Sequence, residues 1–272
     1  MRGRYGRGET QDMGRLNKRE LARSFGAAED YAADARVQRD VAASLTTRLA
    51  AQPTPGRILE IGCGTGFLTL GLRRVFPEAR LLASDLSLAM IRRCRAALGE
   101  QAPSLLVMDG ERPALAGEFD LVVASLVFQW FDQPESSVAA LAQRVAPGGL
   151  LAFATLGPET FASWREACRT AAVPCGLHHY PAPQRWGQWL GPTWQGQWSR
   201  EFHGERHPSR LAFLRQLRRL GMDQPRADHR PTPRLGAVLR VPGTFDTAYD
   251  VIFGLYRRPV TPQASPSWRE SS

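Results

Sequence analysis

From Arg57 to Leu156 the chain alternates short apolar runs with stretches of helical periodicity, and this alternation restricts the fold more than any other feature. The runs "RILEI", "ARLLASD", "SLLVMD", "FDLVVASL" and "LLAFATL" are near-continuous in apolar residues, which marks strands buried on both faces. Between them, "FLTLGLRRVF", "LSLAMIRRCRAALG" and "QPESSVAALAQRVA" carry apolar residues at helical spacing, the last closed by Pro147-Gly148-Gly149. Strand and helix in turn predict an α/β fold with a parallel sheet covered on both sides.

Flanking segments are organised differently. "NKRELARSFGAAEDY" and "DARVQRDVAASLTTRLAA" predict two helices ahead of the first strand, separated from it by Pro53-Thr54-Pro55-Gly56. After residue 172 the periodicity weakens into a Pro-, Gly- and Trp-rich stretch that holds Trp186, Trp189, Trp194 and Trp198, expected to pack a lid over an acceptor side. "SRLAFLRQLRRLG" then predicts an amphipathic helix, residues 223–244 a loop, and "AYDVIFGLYRR" a last strand. The expected division is a disordered basic tail (1–16), a helical cap (17–52), a main domain (53–258) with an insertion at about 172–244, and a disordered tail (259–272).

No apolar run approaches the ~20 residues of a membrane span. Basic residues near the start are followed by no apolar stretch, and the four cysteines show no C-x-x-C spacing, so a cytoplasmic protein with reduced thiols and no metal site is expected. Net charge is +9, and Lys18 is the only lysine among 35 basic residues. Residues 199–258 hold 12 Arg against 6 Asp or Glu. Such an excess suits an acidic partner, although no zinc finger or RNP-like motif points to nucleic acid.

The first strand runs into "EIGCGTG", where Gly62, Gly64 and Gly66 stand at alternate positions after Glu60. A dinucleotide turn of the form G-x-G-x-x-G/A needs a small residue where Phe67 stands, and an acid beside it would repel a pyrophosphate. The same acid suits an ammonium group. S-adenosylmethionine carries one, with a sulfonium, an adenosine and no phosphate. Asp85, 23 residues after Gly62 at the end of the second strand, is placed for two ribose hydroxyls, and Asp109 after the third for the adenine amine. Taken singly, each acid could equally be a capping, salt-bridging or turn residue.

"LEIGCGTG", "ASDLSLAMI", "VMDGERPAL", "FDLVVASLVFQW" and "RVAPGGLLAFATL" resemble the successive motifs of class I S-adenosylmethionine-dependent methyltransferases. The resemblance implies a Rossmann-like, mostly parallel seven-stranded sheet with an N-terminal helical cap. It also implies cofactor contacts from Cys63, Leu86, Met90, Gly110, Ser125, Gln129 and Trp130 besides the acids and glycines above. "RSFGAAEDYAADARVQRDVAASL", with its Gln38-Arg39 pair, "SLVFQWFDQPESSVAAL", "AFATLGPETFASWREA" and "FLRQLRRLG" are similar to segments of the malonyl-acyl carrier protein O-methyltransferases of biotin synthesis. That narrower resemblance implies methyl transfer to a malonyl thioester on acyl carrier protein, an acidic partner that an Arg-rich face would steer. Arg218 becomes the candidate to hold the acceptor carboxylate and Tyr31 a residue closing over the site. His178-His179 reads as loop. Other acceptors (a small dicarboxylic acid or an RNA base) and a non-catalytic cofactor-binding subunit remain open at this level, because one fold hosts many functions.

Overall fold

A computed structural model describes residues 18–27, 35–220, 222 and 234–260 of the chain. Two helices lead: α1 (Lys18–Ala27) and α2 (Arg36–Ala50). The alternating part follows as β1 (Arg57–Ile61), α3 (Phe67–Val75), β2 (Arg80–Asp85), α4 (Leu88–Leu98), β3 (Ser104–Val107), β4 (Phe119–Ser125), α5 (Pro134–Ala142) and β5 (Val145–Leu156). Then come α6 (Ala162–Thr170), α7 (Pro183–Leu190), β6 (Gln195–His207), α8 (Arg210–Arg219), the short α9 (Leu235–Leu239) and β7 (Phe245–Arg257).

The seven strands form one sheet in the order β3-β2-β1-β4-β5-β7-β6. All neighbours pair parallel except β7, which runs antiparallel to both β5 and β6. Side-chain alternation divides the core between the two faces. Ile58, Leu121, Val123 and Ala152 pack under α2, α3, α6 and α8, and Leu59, Val122, Leu151 and Phe153 pack against α5 and α7. The α/β sheet and the leading helices agree with expectation.

Three features depart from it. Val145 and Ala146 belong to β5 rather than to the preceding helix, because Val145 pairs with Phe119 before a register shift leads Leu121 to Leu150. The Trp-rich stretch yields a helix and the 13-residue strand β6, most of whose positions face solvent, so no continuous apolar run announces it. Nor does that stretch form a lid. Trp186 is fully buried against Phe128 and Phe153 on the α5 side of the sheet, and Trp189 and Trp194 pack onto the same cluster. The tail expected at 1–16, residues 261–272 of the other tail, and most of the 223–244 loop lie outside the described residues.

The join of β5 to β7 rests on one close fit: a side chain at Gly254 would sit 2.3 Å from the Phe153 ring, its register partner across the ladder. Gly254→Ala should therefore displace a fully buried ring and cost about 1–3 kcal/mol, read as a lower midpoint in urea unfolding. An unchanged midpoint would mean that the ring is free to yield.

Candidate functional site

The carboxyl ends of β1, β2, β4 and β5 open onto a single cleft, where parallel α/β sheets place ligands. The glycine turn between β1 and α3 forms its floor. Gly62, Gly64 and Gly66 all have positive φ (70°, 53° and 97°), a backbone that L side chains rarely adopt. A side chain at Gly62 would also strike Val127 Cγ2 at 2.3 Å, whereas one at Gly64 would meet nothing within 4 Å. Gly64 thus leaves a surface that a ligand can approach closely.

Asp85 braces this turn. Its Oδ2 accepts from the Gly64 amide (2.9 Å) and its Oδ1 from the Ser87 amide (2.8 Å). Removal from solvent raises its pKa, and these backbone donors pull it back in part. Asp109 accepts from the Glu111 amide (3.0 Å), so it both closes a turn and lines the cleft. Beyond β4, Leu126 holds a strained φ of 53°. Its carbonyl accepts from Gln129 Nε2 at 2.7 Å, and Thr155 donates to Gln129 Oε1 at 3.3 Å. Strain of this kind at a cleft is held by its surroundings.

The helix α1 lies across the opening. Leu21, Ala22 and Phe25 line the cleft from it, and Phe25 meets the Trp130 ring edge-on, centroids 5.3 Å apart. Each end of the helix is pinned. Lys18 pairs with Glu111, lies 3.9 Å from Asp109 and donates to the Trp130 carbonyl at 3.2 Å. Arg93 donates to the Gly26 carbonyl at 2.8 Å and to that of Phe25 at 3.4 Å.

Of the residues expected to bind a cofactor, Gly62, Cys63, Gly64, Asp85, Leu86, Met90, Asp109, Gly110, Ser125, Gln129 and Trp130 line this cleft. Two do not. Gly66 lies under it, with Cys94 Sγ 3.1 Å from where its side chain would be. Glu60, expected to face a ligand directly, is fully buried behind the turn. Strand alternation explains this: Glu60 shares the side of Ile58, whereas Ile61, one residue on, turns to the cleft. Neither carboxylate oxygen of Glu60 has a hydrogen-bond partner among the described residues. Burial pushes its pKa up to about 8, with Thr69 opposing and Cys94 and Asp85 adding to the rise.

Tyr31 lies outside the described residues. Arg218 is exposed on α8 and is not among the cleft residues, although Met222, four residues on, is. His178 lies in irregular chain, edge-on to Trp130 with centroids 6.0 Å apart. Sequence reasoning passed over Lys18, Phe25, Gln38, Phe67 and Tyr249, which reach the cleft from α1, α2, the start of α3 and β7. Lys18 had one signal, as the chain's only lysine, and Gln38 another, in the Gln38-Arg39 pair of the resemblance; Phe25, Phe67 and Tyr249 depend on tertiary packing.

The donor set fits an adenosyl sulfonium cofactor better than a dinucleotide. Two acids line the cleft, the Thr65 hydroxyl is buried there without a partner among the described residues, and Gly64 leaves room for close approach. Among the described residues, Lys18 is the one basic side chain lining the cleft, and it is already paired with acids. Among them, a pyrophosphate in this cleft would have to rely on backbone amides alone, beside two carboxylates.

Comparison with known proteins agrees. A methyltransferase domain family matches residues 59–153. The malonyl-acyl carrier protein O-methyltransferase of Magnetococcus marinus is 37% identical over 262 residues, 93% of this chain and 95% of that protein. The biotin biosynthesis bifunctional protein BioCD of Bordetella avium is 40% identical over 90% of this chain, which spans about half (53%) of that longer protein. Among solved structures, the N-methyltransferase NodS of Bradyrhizobium japonicum, in complex with S-adenosyl-L-homocysteine, superposes with a TM-score of 0.54 at 18% identity, covering 90% of this chain and 100% of that one. At that identity the likeness is one of fold.

Glu60 sets a pH dependence. Its folded pKa of about 8 lies above the ordinary 4.5, so between those values the folded protein keeps a proton that the unfolded chain releases. Rising pH across this window therefore weakens folding, by an amount on the order of 3 kcal/mol at pH 7. Glu60→Gln should flatten the fall in melting temperature of the ligand-free protein between pH 5 and pH 8 (about the limits of that window), and melt later than the parent at the upper end. Parallel curves for the two proteins would show that Glu60 is ionised throughout.

Proposed function

We propose, from the premise that the chain belongs to the malonyl-acyl carrier protein O-methyltransferase family, that it methylates the free carboxylate of a malonyl thioester carried on acyl carrier protein. The observation that carries this is the 37% identity to such an enzyme along 93% of the chain, and the acid-lined, cation-poor cleft supports it. S-adenosylmethionine supplies a methyl group activated by its sulfonium charge.

The chain's own work is binding and exclusion. Asp85 offers its carboxylate toward the ribose hydroxyls while keeping Gly64 in place, and Asp109 faces the adenine amine. Leu86 and Met90, both lining the cleft from the start of α4, provide apolar surface for the base. Gln129 and Trp130 border the path to the acceptor. A malonyl carboxylate, with an ordinary pKa of ~4, is already ionised near neutrality and needs no base. Catalysis then rests on aligning it in line with the methyl group and on removing water. Leu21, Ala22 and Phe25, held over the opening, do the second. Four free cysteines are compatible with a reducing, cytoplasmic setting.

Two measurements bear on this. Incubation with malonyl-acyl carrier protein and S-adenosylmethionine should add a single methyl group to the carrier-bound acyl chain, seen by intact-mass spectrometry. Protein that binds the cofactor yet leaves the malonyl group unchanged would refute the acceptor. Asp85→Ala should weaken cofactor binding by about 1.5–3 kcal/mol in calorimetry, as expected when a charge-assisted partner is lost; unaltered affinity would move the ribose elsewhere.

A further inference from the structure

The sheet order separates the cleft into two ends. Asp85 and Asp109 follow β2 and β3 on one side, with Lys18 above them, while Leu156 and Tyr249 stand on β5 and β7 at the other. Ala42, Phe67, Leu68 and Met222 complete this second end. It is apolar, and no charged side chain among the described residues lines it. An anionic acceptor seated there would lose its hydration with no compensating charge, which is costly.

Two neighbouring residues can supply what is missing. Gln38 lines the cleft, but its polar atoms are poorly used: among the described residues, Nε2 donates only to the Met222 thioether at 3.8 Å, and Oε1 is buried with no hydrogen-bond partner. A thioether is a weak acceptor, and half a turn about the terminal bond exchanges the amide's oxygen for its NH2 group. The next residue, Arg39, is exposed, with its guanidinium 5.1 Å from the centroid of the Phe67 ring, which itself lines the cleft. A guanidinium over an aromatic ring is attracted to the ring's negative face, and its N–H groups are the part that recognises a carboxylate.

We propose that Gln38 and Arg39 together hold the acceptor's carboxylate, Gln38 from inside the cleft and Arg39 from its rim. Consecutive positions on a helix differ by about 100° in direction, which is why one can line the cleft while the other covers its edge. The assignment rests on the acceptor proposed above. It also makes Arg39, rather than Arg218 on the exposed side of α8, the cation that selects an acid.

The test measures kcat and KM for malonyl-acyl carrier protein alongside cofactor affinity by calorimetry. Arg39→Gln should lower kcat/KM by about 30- to 100-fold, mostly through KM, and Gln38→Leu by about tenfold, the range for a lost hydrogen bond to a charged group. Cofactor affinity should stay within about twofold, which a general structural defect would not allow. Arg39→Lys should fall between parent and Arg39→Gln, since it keeps charge and loses the fork. Guanidinium ion added to Arg39→Ala should restore part of the activity. Turnover by Arg39→Gln within about threefold of the parent, or a loss found in Arg218→Gln instead, would overturn the proposal. Parent protein that methylates no malonyl-acyl carrier protein would instead refute the acceptor itself, and this proposal with it.

Discussion

The hydrogen bond from the Gly64 amide to Asp85 is the contact on which the site depends. It ties the turn after β1 to the end of β2, and so fixes three left-handed glycines against a carboxylate that also lines the cleft. A backbone with three positive φ angles gains little from local interactions. It persists because Asp85 takes the Gly64 donor and because Ser84 clamps the strand ends, its hydroxyl donating to the Glu60 carbonyl and its carbonyl accepting from Cys63. Asp85 is therefore a cleft-lining carboxylate and a structural brace at once.

Much of this could be read from the sequence where signals are local. Glycine spacing, the acid 23 residues later and the buried strands each leave a mark in consecutive residues, and the sheet, the turn and most of the cleft lining follow from them. What escaped is non-local. β6 is half-exposed along its length and carries Gly, Gln, Arg and Glu among its residues, so only its pairing with β7 defines it as a strand. Trp186 looks in sequence like packing for a lid, yet its burial against Phe128 and Phe153 is decided by segments distant along the chain. Glu60 misled for a simpler reason. The parity of a strand fixes its direction, and the parity of β1 sends it behind the turn.

The position of Glu60 changes what it can do. An exposed acid at a strand tip would attract a cation by direct contact. A buried one with no hydrogen-bond partner among the described residues prefers to stay protonated near neutrality. A nearby cation makes ionisation less costly, so occupancy of the cleft and the state of Glu60 are linked thermodynamically.

Charge is accordingly segregated along the cleft. Acids and their paired Lys18 occupy the end beneath α1, and the opposite end is apolar with arginine at its rim. In a methyl transfer between a sulfonium and a carboxylate, opposite charges approach and cancel. A uniformly polar cleft would stabilise both charges before reaction and gain nothing at the transition state. An apolar end that held the carboxylate by few contacts would leave it poorly solvated, so neutralisation by the methyl group would relieve the very condition that the site imposes. The Arg39–Phe67 contact suits such an arrangement, because the guanidinium lies over a cleft-lining ring without itself lining the cleft.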